Sequence, residues 1–60
     1  MRLEKLHDTM DEKGIKPEEL AVKTGLSFST IQKARKGLSV TLGTATLIAQ
    51  GMKMKKEDLA

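Results

Sequence analysis

Residues 17–37, PEELAVKTGLSFSTIQKARKG, carry the densest run of local structure signals in the chain. Pro17 suits the first turn of a helix, where its missing N–H would have no partner anyway. Glu18 and Glu19 follow it, at the positive end of the helix dipole. Leu20, Ala21 and Thr24 share one face at helical spacing. Gly25 falls where a helix closes on a left-handed residue, a conformation that glycine adopts without a Cβ penalty. Leu26 is placed to tuck into the corner, and Ser27 is a good N-cap for a second helix. The pattern therefore predicts a helix from Pro17, a tight turn at Gly25 and a second helix from about Phe28 to Lys36. Ile31 and Ala34 fall on the inner face of that second helix, and Gly37 stops it.

Upstream, Leu3, Leu6 and Met10 recur at helical spacing in RLEKLHDTMDEKG, with acidic and basic residues on the other face. This predicts an amphipathic first helix ended by Gly14, followed by a connection in which Ile15 is buried. His7 lies among polar neighbours and reads as a solvated surface residue. Downstream, Leu38-Ser39-Val40 reads as a short loop whose apolar side chains cover the bundle. Thr41 is placed to cap a fourth helix from about Leu42 to Met52, with Leu42, Ala45, Ile48, Ala49 and Met52 as its apolar stripe. Gly43 and Gly51 weaken that helix by up to about 1 kcal/mol each relative to alanine. Met54 is expected to face inward, and Lys56 to Ala60 to begin a fifth helix with Leu59 inside.

The expected fold is all-α: one domain over residues 1–60, a compact bundle of four to five short helices. Sixty residues lie near the lower limit for a fold without staples. There is no Cys and only one His, so disulfides and His/Cys zinc sites are excluded for a single chain. Phe28 is the only aromatic residue, and the core must come from aliphatic side chains and Met. No apolar run approaches the ~20 residues of a membrane span and no signal peptide is visible, which predicts a cytoplasmic protein with no membrane partner. No cofactor motif, metal constellation or nucleophile–base pair is present, so neither an enzyme nor a cofactor is expected.

The net charge of +3 is unevenly spread. From Lys23 through Lys56 the charged residues are Lys23, Lys33, Arg35, Lys36, Lys53, Lys55 and Lys56, with no Asp or Glu among them. A polyanion would be drawn to this region and not to the mixed, acid-rich segment before it. The tight corner adds geometry to the charge. Two helices joined so closely cross steeply, and the second can enter a DNA major groove.

The pattern Glu19-Leu20-Ala21, three residues, Gly25-Leu26-Ser27, three residues, Ile31, then Gly37 resembles the Cro and lambda-repressor-like helix-turn-helix family. The resemblance continues through Leu47-Ile48-Ala49 to Leu59 and covers nearly the whole chain. It implies a DNA-binding domain whose second motif helix reads base edges. On the matching positions, Phe28, Ser29, Gln32 and Lys33 are the expected base contacts. Ser29 both donates and accepts, Gln32 matches adenine, Lys33 matches guanine O6/N7, and Phe28 can press on a thymine methyl. Phosphate contacts are expected from Lys16 and Pro17 at the start of one helix, and from Arg35, Lys36, Thr41 and Thr44.

The chain departs from the family pattern at two pairs of positions. The family commonly carries Gln at the positions of Pro17 and Phe28, and often an Arg–Glu ion pair at those of Met10 and Arg35. Exchanging both partners of an ion pair can be neutral where losing one is costly, and the exchange frees Arg35 for solvent or phosphate. By resemblance, the expected function is a sequence-specific regulator of transcription that binds double-stranded DNA, a phage or plasmid repressor or a Cro-like protein. Its partner is a palindromic operator, bound by a weak homodimer that forms mainly on DNA, with Met52, Met54 and Leu59 as the apolar contributors. The alternatives are the antitoxin of a toxin–antitoxin pair and a protein-interaction helical module that does not bind DNA.

Overall fold

The computed structural model describes residues 1–60, which form four α-helices and one 3-10 turn: α1 (Leu6–Lys13), α2 (Pro17–Thr24), α3 (Phe28–Arg35), α4 (Leu42–Gly51) and the turn Lys56–Asp58. The fold is all-α, as expected. α2 packs on both α3 and α4, α3 also meets α1, and α4 meets the 3-10 turn. Eleven residues are buried and every one of them is apolar: Leu3, Leu6, Met10, Leu20, Ile31, Ala34, Ala45, Ile48, Ala49, Met52 and Leu59. Ile15, Ala21, Leu26, Val40 and Met54 pack around this core as half-buried side chains. No polar or charged residue is among the buried ones, although the Nε atom of the half-buried Arg35 is itself buried.

Local signals fix most helix ends. Pro17 opens α2, and Gly25 closes it with φ 73°, its amide donating to the Ala21 carbonyl at 3.0 Å. Ser27 caps α3 and Thr41 caps α4, each accepting the amide hydrogen of the residue three further on.

Four expectations are corrected. The first helix does not include Leu3 and starts at Leu6. Met1 and Val40 instead exchange backbone hydrogen bonds (2.7 and 2.8 Å), and Arg2 bridges antiparallel to Ser39. This pairing brings Leu3 into the core from ahead of the helix, so the spacing of Leu3 and Leu6 is helical only by coincidence. Leu38 is 50% exposed and only Val40 of that loop covers the core. Leu42 is 63% exposed, because the first turn of α4 runs past the end of the core and Thr41 and Gly43 are exposed with it. The fifth helix is a single 3-10 turn, although Leu59 is fully buried as expected.

Gly51 has a role that helix propensity does not describe. A Cβ there would lie 2.8 Å from Thr24 Cγ2 and 3.1 Å from Leu20 Cδ1. The end of α4 therefore approaches α2 as closely as it does because residue 51 has no side chain.

Candidate nucleic-acid interface

The corner between α2 and α3 is built from short-range bonds. Thr24 Oγ1 donates to the Leu20 carbonyl at 2.8 Å and accepts the Leu26 amide at 3.3 Å, tying the last turn of α2 to the residue after Gly25. Ser27 Oγ accepts the Thr30 amide at 3.2 Å and is bonded to Thr30 Oγ1 at 2.9 Å. Sequence reasoning places Thr24 on one face with Leu20 and Ala21 and misses its hydroxyl as the link across the turn. The signal was available, since threonine in a last helical turn is placed to bond the carbonyl four residues back.

With Ile31 and Ala34 buried, α3 turns its other side outward. Phe28 is 45% exposed, Ser29, Lys33 and Lys36 are exposed, and Gln32 and Arg35 are half-buried. The expected base contacts thus share one helix and leave its two buried positions to the core. Lys16 is exposed just before α2, and Pro17 is half-buried at its first turn. α2 has no side-chain cap, so amides of its first turn remain open, although Glu18 and Glu19 bring negative charge to the same place. At α4, Thr41 Oγ1 accepts the Thr44 amide (3.1 Å) and donates to Thr44 Oγ1 (3.0 Å), which leaves the Thr44 hydroxyl proton unclaimed by this pair.

The charges on this side are unneutralised. The only carboxylate contacts within 4 Å in the chain are those of His7 with Asp8 and Asp11 on α1, and of Lys56 with Glu57. Lys16, Lys33, Arg35 and Lys36 have none. The His7 contacts confirm that this residue belongs to the acid-rich surface of α1, half-exposed and remote from the basic helix in sequence.

Arg35 departs from the reading that left it free. Its Nη1 donates to Gln32 Oε1 at 3.1 Å, and its Nε is buried without a partner. Met10, the other half of the exchanged pair, is fully buried in the core. An i,i+3 pair of Gln and Arg on one helix is within bonding reach by spacing alone, and that spacing is visible in the sequence.

Residues 5–60 match the family of the Cro/C1-type HTH DNA-binding domain. The chain belongs to that family. The match takes in all four α-helices and the 3-10 turn, so the corner, its caps and the exposed face of α3 are those of a Cro/C1-type domain. No curated protein and no solved structure matches the chain. Membership in this family makes the chain a DNA-binding domain of the regulator type. No helix is long and apolar enough to cross a membrane.

Proposed function

We propose that the protein is a repressor of the phage or plasmid kind, or a Cro-like protein, which binds a palindromic operator in double-stranded DNA through α3. Phe28, Ser29, Gln32 and Lys33 face the bases. Lys16 and Pro17 at the start of α2, and Arg35, Lys36, Thr41 and Thr44 on the other side, face the phosphates. The observation that carries this reading is the exposure of Lys33 and Lys36 on one helix of a Cro/C1-type domain with no carboxylate near either. Cations left unpaired in the free protein have no ion pair to break when they meet a phosphate or a guanine edge.

Two subunits related by symmetry would read the two halves of the operator. Pairing is weak without DNA. Met52 and Leu59, the apolar residues first expected to support it, are fully enclosed in the subunit's own core, and Met54 is half-buried against it. The protein is therefore a monomer at micromolar concentration that pairs on its site, acting in the cytoplasm.

Lys33→Ala and Lys36→Ala test the reading, with binding measured on specific and scrambled duplexes across a salt series. Lys33→Ala is expected to cost about 1–3 kcal/mol on the best site and to relax preference at one base pair per half-site. Lys36→Ala is expected to weaken all sequences alike and to lower the salt slope by about one charge per subunit. Wild-type protein that shows no salt-dependent binding to any duplex would overturn the proposal in favour of a protein-interaction module.

A further inference from the structure

Gln32 and Arg35 are bonded to each other, so a contact of one to a base and a contact of the other to a phosphate are coupled. A guanidinium carries only donors, and the amide atom facing it is therefore the oxygen of Gln32. Arg35 is half-buried, and its Nε is buried with no partner. The Gln32 oxygen is thus engaged by Arg35, and the amide nitrogen is the end left to donate elsewhere. A glutamine with both ends free matches adenine, giving N–H to N7 and taking N6–H on its oxygen. A glutamine that offers only its N–H groups matches an edge made of acceptors. In the major groove that edge is guanine, with N7 and O6.

Resting on the reading of α3 as the groove-facing helix, we infer that Arg35 is a positioning residue that holds Gln32 amide-first, so that Gln32 selects guanine in place of adenine. The unpartnered Nε supports a role other than stability, because a buried donor without an acceptor costs free energy that an apolar side chain of similar length would not.

The experiment selects bound duplexes from a random library with wild type, Gln32→Ala and Arg35→Met, and then measures affinity on duplex pairs that carry G or A at the position where Gln32→Ala loses its preference. Arg35→Met keeps an unbranched stem to fill the half-buried site and removes the guanidinium, and its thermal unfolding is followed as a folding control. Wild type is expected to favour guanine there about tenfold or more, and Arg35→Met to erase that preference or turn it toward adenine. Three results would overturn the inference: a wild-type preference for adenine, no change of base preference in Gln32→Ala, or an Arg35→Met protein that loses affinity equally on every duplex while keeping its preference. The last of these would make Arg35 a phosphate contact only. Each leaves the DNA-binding reading intact, whereas wild type that fails to bind duplex DNA with salt dependence removes that reading first and this inference with it.

Discussion

The chain turns through a left-handed residue at four places, Gly14, Gly25, Gly37 and Lys53, and two of these corners are held by opposite means. At the first, between α2 and α3, the residue is Gly25, and every bond that shapes the turn lies between Leu20 and Thr30. At the second, after α4, the residue is Lys53 with φ 57°, the one non-glycine in the chain with positive φ. The Lys53 amide donates to the Gln50 carbonyl (3.0 Å) and the Met54 amide to that of Ala49 (2.9 Å), so the helix end is bonded as a glycine-closed end would be. No residue there prefers the conformation. The corner is imposed by the C-terminal segment beyond it: Met54 packs on the core, Leu59 is fully buried, and the Leu59 carbonyl accepts the Lys5 amide at 2.8 Å. The corner that aims α3 is thus determined locally. The corner that closes the domain is determined from a distance, and it tolerates strain because packing outweighs it.

If packing holds the second corner, its largest weakness is Leu59. Truncating a fully buried leucine costs about 2–5 kcal/mol, against a total of roughly 3–9 kcal/mol for a domain of this size. Leu59→Ala is expected to lose most of the stability in a urea titration followed by helical circular dichroism. Leu26→Ala, at the locally bonded corner, removes a half-buried side chain and is expected to cost distinctly less. Equal losses would mean that the two corners do not differ in the way their bonds suggest.

Gly51 joins the two corners, because its Cα faces Thr24 across the α2–α4 contact. Gly51→Ala removes a poor helix former, worth up to about 1 kcal/mol. It also drives a methyl to 2.8 Å from Thr24 Cγ2, and overpacking of that kind costs about 1–3 kcal/mol. Thr24 cannot turn its methyl away without giving up the hydroxyl bonds to Leu20 and Leu26. The net effect is expected to be destabilising. Adding Thr24→Ser removes that methyl and keeps the hydroxyl, so the double variant is expected to melt above Gly51→Ala alone. Additive melting shifts in the four-protein cycle would show that the two residues do not interfere.

The same division explains which features were legible in the sequence. Pro17, Gly25, Ser27 and Thr41 act on backbone groups within three or four residues, and each was placed by reading its neighbours. The buried faces of α2 and α3 came from period alone. Leu3 lies outside the helix because the segment that carries it pairs with the chain near Val40, nearly forty positions away, which no local signal announces. Leu42 was misplaced because period gives a face and says nothing about where the core ends along it. Gly51 shows in the sequence only as a residue that weakens its helix, since a close approach of two helices leaves no mark beyond the glycine itself. In the candidate site, residue types and their helix face were legible, whereas the turning of Arg35 onto Gln32 required side-chain positions.

The smallest effect concerns Lys53 itself. A side chain in the left-handed region costs about 1–2 kcal/mol relative to its preferred backbone, and glycine there avoids that cost. Glycine also gives the unfolded chain more freedom, which takes back about 0.4–1 kcal/mol. Lys53→Gly is therefore expected to stabilise the domain by about 0–1.6 kcal/mol, seen as a modest rise in melting temperature. Lys53 is exposed and has no carboxylate partner, so no packing or ion pair is lost. Removing a positive charge from a basic segment could raise stability by itself, and Lys53→Ala separates the two causes. Alanine removes the same charge and keeps a Cβ in the left-handed conformation, so it should gain little. A melting temperature raised as much by alanine as by glycine would assign the gain to charge, and the second corner would then be no more strained than the first.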